Sequence, residues 1–223
     1  MLSQTIQQRM ATLAGVPIDA PDLVARAQAV LGVTTDGSAG PKTMAALWQR
    51  LPPQAPEVVQ RALAGAAWPA VVYSMPKSQG GAGWLPDMAP LAFCDCSGFI
   101  CQVMGAPKAT GARAGALGSL DLGSDGWLAG AGGMLEALPL ADARPGDVIG
   151  WPSIWSQGTR DRAKGGRIGH VEICVAVDGG KIFTVGCASS NKPSAIVRAD
   201  KSALWRRNAA VAIRPRWYAD AAT

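Results

Sequence analysis

The run HVEICVAV, residues 170 to 177, alternates as a strand does: Val171, Ile173, Val175 and Val177 fall on one face, and His170, Glu172, Cys174 and Ala176 on the other. The aliphatic face is expected to be the core. His170, at the strand's start and preceded by Gly169, then points to the opposite side, where a helix is expected to pack. On either side of this run, KIFTVGC (181 to 187) comes after a D-G-G turn, DVIGW (147 to 151) precedes, and AVAIRPRWY (210 to 218) reads as a closing strand. Upstream the period changes. CDCSGFICQVMG (94 to 105) carries Phe99, Ile100, Val103 and Met104 as a buried helical stripe beginning just after Cys96, and Val58 to Ala67 also reads as a helix. Helices first and antiparallel strands afterwards predict an α+β fold.

Further upstream, Ala20 to Leu51 reads as two helices around an Asp-Gly turn. Asp22 is placed to cap the first, Val24, Ala27, Val30 and Leu31 recur at helical spacing, and Gly32 ends it. The second starts near Pro41 and carries Met44, Leu47 and Trp48 on one side. LPPQAPE (51 to 57) has no periodicity and reads as a linker, which divides the chain into a small helical module (1 to 50) and a larger domain (58 to 223). The alanine- and glycine-rich stretch 111 to 133 reads as an irregular insertion.

The 223 residues and their 48% hydrophobic content suffice for one substantial core and a small satellite, so a soluble globule is expected. MLSQTIQQRMATLAGVPIDAP lacks a basic start followed by an apolar run, and no long apolar stretch occurs, so neither a signal peptide nor a stable membrane association is expected. Five cysteines are an odd set, which leaves at least one thiol free and fits synthesis in a reducing compartment. The net charge of +5 gathers in TRDRAKGGR (159 to 167) and at Arg206, Arg207, Arg214 and Arg216. Such clusters suit an anionic polymer or simply a solvated face. They lack interleaved aromatic residues and a groove-reading motif, so nucleic acid is not an expected partner.

A cysteine becomes a nucleophile when its thiolate is stabilised, and a helix N-terminus does this with unpaired N–H groups and the positive end of its dipole. Cys96 occupies such a place, and Asp95 before it with Ser97-Gly98 after it make a small-residue entry that substrate can approach closely. The chain has one histidine, so any Cys-His mechanism uses His170. Cys94-x-Cys96-x4-Cys101 is not a zinc-knuckle spacing, so neither a metal nor another cofactor is expected. A disulfide from Cys94, with Cys187 as one candidate, stays open.

Together, CDCSGFICQV (94 to 103), RPGDVIGW (144 to 151) and GHVEICVAVDGGKIFTVG (169 to 186) resemble the NlpC-type cell-wall cysteine peptidases and their relatives the CHAP amidases, over most of 60 to 217. The resemblance implies a papain-like domain in which a cysteine-bearing helix packs on an antiparallel sheet, with Cys96 as nucleophile and His170 as base. Tyr73 with Gly80-Gly81 resembles the family's tyrosine and paired glycines, which implies that Tyr73 lines the site. The family's third position, a polar residue orienting the histidine, falls on the strand after the D-G-G turn. This chain offers Thr184, Gly186, Cys187 or Ser189 there; Cys187 is the residue expected to fill it, and a backbone carbonyl is the alternative. Asp95, Ser97 and Trp84 are taken with Tyr73 as substrate contacts, Trp151 and Trp155 being further groove or core candidates.

AQAVLGVTTDGSAGPKTMAALWQ (27 to 49) resembles the short helical peptidoglycan-binding module at Gln28, Leu31, Gly32, Val33, Asp36, Gly37, Gly40, Pro41, Thr43 and Leu47. The two resemblances imply an endolysin-like lytic hydrolase of peptidoglycan; a monomer is expected, and with no signal peptide expected it would be made in the cytoplasm and act in the periplasm or wall after release or injection. The bond implied is that between D-glutamate and meso-diaminopimelate. Alternatives are a CHAP-type N-acetylmuramoyl-L-alanine amidase, a secreted antibacterial effector with an inhibitory immunity protein, or an inactive wall-binding or tail protein.

Overall fold

The structure is a computed structural model that describes residues 4–51, 53–74, 90–104, 135–152, 168–216 and 218. Three helices open the chain: α1 (Gln4–Ala14), α2 (Leu23–Leu31) and α3 (Pro41–Arg50). Helix α1 is absent from the sequence reading. Its Ile6 and Met10 join Ala11, Leu23, Ala27 and Leu47 in a buried cluster of their own. Leu47 enters that core as expected, whereas the side chains of Met44 and Trp48 lie outside the described residues. Gly32 closes α2 at φ 69°, the left-handed conformation that glycine adopts without strain. Asp22 precedes α2 but makes no side-chain cap bond; its carboxylate instead accepts from Arg26 Nε at 2.7 Å.

Gln28 explains why the turn between α2 and α3 needs its particular residues. Its buried amide nitrogen lies 2.7 Å from Asp36 Oδ1, 2.9 Å from the Ser38 carbonyl and 3.0 Å from Thr43 Oγ1, and its amide oxygen accepts the Gly37 N–H at 2.8 Å. One side chain thus satisfies the polar groups of a turn that would otherwise be left unpaired. Gln28, Asp36, Gly37 and Thr43, which carry part of the binding-module resemblance, are therefore fold-holding residues.

The linker is shorter than its composition suggests, because α4 (Ala55–Ala66) begins inside it with proline in its first turn. Glu57 in that turn pairs with Arg9 of α1, which ties the opening helices to α4. Next come β1 (Val72–Tyr73) and β2 (Phe93–Cys94), a short parallel pair, and α5 (Cys96–Met104). The strands β3 (Leu135–Pro139), β4 (Val148–Pro152), β5 (Ile168–Asp178), β6 (Lys181–Cys187), β7 (Ile196–Asp200) and β8 (Val211–Pro215) form one antiparallel sheet, and α6 (Ser202–Arg207) lies between β7 and β8 in the chain. Strand order is β3-β8-β4-β5-β6-β7, so the strand read as closing the chain is inserted between β3 and β4. Among the described residues no helix is long and apolar enough to cross a membrane.

The sheet buries both faces. Val171, Ile173 and Val175 of β5 join Phe99, Ile100 and Val103 of α5 and Val58 and Ala62 of α4 in the main core. Cys174, Ile149, Ile182 and Ala212 point the other way, onto Trp205 of α6. Helix α5 therefore packs on the valine face, not on the face of His170 as expected. Val177 leaves the core and is exposed, because a bulge between Cys174 and Ala176 resets the register of β5 on β6.

The P-G-D turn has a structural reason as well. Gly146 has φ 98°, and a Cβ there would fall 2.6 Å from Ala55 Cβ at the start of α4. The buried Asp147 carboxylate receives Arg214 of β8 through Nε at 2.9 Å and Nη2 at 2.7 Å. Arg206 donates to the Gly180 carbonyl, so two arginines of the C-terminal basic cluster hold the fold together.

Candidate active site

The chain passes from β2 into α5 through Asp95. Its carboxylate accepts the Gly98 N–H at 2.5 Å and the Ser97 hydroxyl at 3.3 Å, and its carbonyl accepts the Phe99 N–H at 3.0 Å. This is an aspartate N-cap, and it sets Cys96 at the first helical position, where the backbone favours negative charge on sulfur. Residues Ser97 to Met104 are buried, whereas Cys96 is partly exposed. Asp95 and Ser97, read as substrate contacts, are buried and committed to the cap.

Strand β1 brings Tyr73 alongside, in register with Cys94. The Tyr73 hydroxyl is hydrogen-bonded to the Cys96 sulfur, and burial, with Cys96 and Asp95 beside it, pushes the phenol well above its ordinary range.

His170 comes from the start of β5. Its ring is hydrogen-bonded to Cys96, stacks on Trp205 at a centroid distance of 6.3 Å, and sets Nε2 3.0 Å from Glu172 Oε1. The imidazole thus touches α5 on one side of the sheet and α6 on the other. Burial alone would lower its pKa; the bonds to Cys96 and Glu172 and the charges of both outweigh burial and hold it at about 9. At neutral pH the ring is an imidazolium.

Glu172 is fully buried, yet each carboxylate oxygen is satisfied. Oε1 also accepts from Lys201 Nζ at 2.5 Å, and Oε2 accepts the Thr184 hydroxyl at 2.5 Å. Burial works against the anion, but the bond to His170 and the charges of Lys201 and His170 prevail and keep the carboxyl below its ordinary value. Lys201 immediately precedes α6 and Trp205 lies within it, so one short stretch supports the carboxylate and the ring.

Cys187, the expected third position, lies elsewhere. It is fully buried and hydrogen-bonded to Cys94, whose thiol is pushed far up by that bond, by burial and by neighbouring charge. The side chain on the imidazole Nε2 is Glu172, two residues along the same strand. Alternation along the strand puts Glu172 on the face of His170, but alternation alone gives it no role. The available signal was a carboxylate at that spacing beside a glycine on the neighbouring strand. Trp84, Gly80, Gly81 and Trp155 lie outside the described residues, as does the Trp151 side chain, although the Trp151 backbone pairs with His170. Among the described residues no three histidine, cysteine or carboxylate side chains converge as a metal site requires.

No family model matches the chain. No curated protein matches it either. Among solved structures, the chain is similar to the crystal structure of a protein described as similar to lipoprotein, NLP/P60 family, from Staphylococcus aureus subsp. aureus Mu50. The sequence identity is 16% and the TM-score 0.35, with 92% of this chain and 73% of that one covered.

Proposed function

We propose that the protein is a cysteine hydrolase of the peptidoglycan stem peptide, with Cys96 as nucleophile and His170 as acid and base. The observation that carries this reading is the chain of contacts from Cys96 to His170 to Glu172, with Cys96 at a capped helix start. The Cys96 thiolate attacks the scissile carbonyl, and its backbone N–H faces the oxyanion that forms. His170, protonated at neutral pH, gives its proton to the leaving amine. It then takes a proton from water as that water attacks the thioester, and the acid product leaves with the cysteine regenerated.

The choice of polymer rests on the sequence resemblance, which favours the bond between D-glutamate and meso-diaminopimelate and makes the helical module a wall-holding unit. An endolysin-like role follows from the same resemblance. The inactive reading drew its force from an unfilled third position, and the carboxylate on His170 weighs against it.

The test is digestion of diaminopimelate-type peptidoglycan by the protein and by its Cys96→Ala variant, with mass spectrometry of the released fragments. New termini at D-glutamate and diaminopimelate that vanish in the variant support the endopeptidase. Cleavage confined to the muramyl-alanine bond replaces it with the amidase, and wall binding without release by either protein rejects the enzyme.

A further inference from the structure

We infer that Glu172 is the positioning residue of His170, acting from the histidine's own strand in the space that Gly186 leaves open on β6. The inference rests on the Cys96–His170 chemistry proposed above.

A group that orients a histidine from the neighbouring strand needs a side chain, and Gly186 has none. Its position lies one step along the ladder from the Ile173–Val185 pair, beside Glu172. A Cβ at 186 would fall 2.1 Å from Glu172 Cγ and 2.5 Å from its Cδ. Glu172 therefore fills the volume that a side chain at 186 would take, and its carboxylate ends on His170 Nε2. An aspartate at 186 would carry its carboxyl one bond beyond that Cβ, close to where the Glu172 carboxyl now sits.

Burying a carboxylate is costly unless it is paired and hydrogen-bonded. Glu172 meets both conditions through Lys201 and Thr184, which fix it at two further points beside the ring. Lys201 neutralises the carboxylate, Thr184 anchors its second oxygen, and Trp205 covers the imidazole face. The ring is left with one orientation, in which it also meets Cys96.

The chain has one histidine, so ¹⁵N NMR of the imidazole in the full-length protein reports His170 alone. Titrations of the wild type, Glu172→Gln, Glu172→Gly and Glu172→Gly/Gly186→Asp are compared, and turnover of diaminopimelate-type peptidoglycan is measured beside them. Glu172→Gln keeps the shape and removes the charge, and it should lower the His170 midpoint by at least about one unit. It should also cut kcat about tenfold or more while leaving KM nearly unchanged. Glu172→Gly should lower the midpoint as well, and Gly186→Asp in the same chain should bring it back to within about half a unit of wild type. A Glu172→Gln midpoint equal to that of the wild type, or a double variant that titrates like Glu172→Gly, overturns the inference. Because the titration needs no substrate, a wild type that releases nothing from the wall rejects the proposed function while the midpoints still decide the role of Glu172.

Discussion

Gly186 lies against Glu172 so closely that a Cβ on the glycine would fall 2.1 Å from the glutamate's Cγ. The pair trades a side chain between neighbouring strands: β5 supplies the carboxylate and β6 the space for it. The consequence is an anion, held by Lys201, behind an imidazole that touches Cys96. A buried anion in that place stabilises the imidazolium more than a neutral amide would.

The ionisations of this pair predict how stability depends on pH. His170 holds its proton to about 9 in the fold against an ordinary 6.5, so its contribution is complete below about 6.5 and is lost as pH rises through about 9. The Glu172 carboxyl is lowered from 4.5, so its contribution is complete above that value and is lost as pH falls through the folded pKa. The two together are greatest between about 4.5 and 6.5. Thermal unfolding of the wild type beside His170→Asn should show a Tm difference that shrinks between pH 6.5 and 9. A difference that grows over that range contradicts the assignment.

Arg214→Met should be severe. It leaves the buried Asp147 carboxylate without its two-point partner, a loss of about 3–5 kcal/mol for a buried pair broken from one side. Urea unfolding measures it, and a change below about 1 kcal/mol would mean that the pair is screened as a surface bridge is.

Gln28→Ala should weaken the helical module by about 1–3 kcal/mol, because the Gly37 N–H and the Thr43 hydroxyl lose a buried partner. Amide exchange along α2 and α3 should quicken while exchange in β5 and β6 does not, since the module has its own core. Equal quickening in the sheet would show that the two units unfold as one.

Strands β4, β5 and β6 were legible almost to the residue because alternation and glycine turns mark them. Strands β3 and β7 were not, since both are five-residue edge strands whose exposed positions, Glu136 and Arg198 among them, leave too few buried apolar residues to mark a strand. Helix α1 did carry a signal in Ile6, Met10 and Leu13, spaced as a helix requires. Of the site, Cys96, His170 and Tyr73 could be named from sequence, and the structure brings those three together. Lys201 and Trp205 could not, because they reach Glu172 and the imidazole respectively only through the placement of α6, and nothing local in KSALWRR announces it. Cys187 was the candidate from its place after the D-G-G turn; in the structure it is hydrogen-bonded to Cys94, and the neighbouring Gly186 is the residue that lies against Glu172.

Whether His170 holds the Cys96 thiolate ready is tested by the rate at which iodoacetamide alkylates each cysteine at pH 7, followed by peptide mass spectrometry in the wild type and in His170→Ala. Cys96 should react first and alone, since Cys94, Cys101, Cys174 and Cys187 are buried and burial pushes the Cys174 thiol up to about 12. Removing His170 should slow Cys96 about tenfold or more. Equal Cys96 rates in the two proteins, or labelling spread over the five cysteines, would contradict a thiolate held ready by His170.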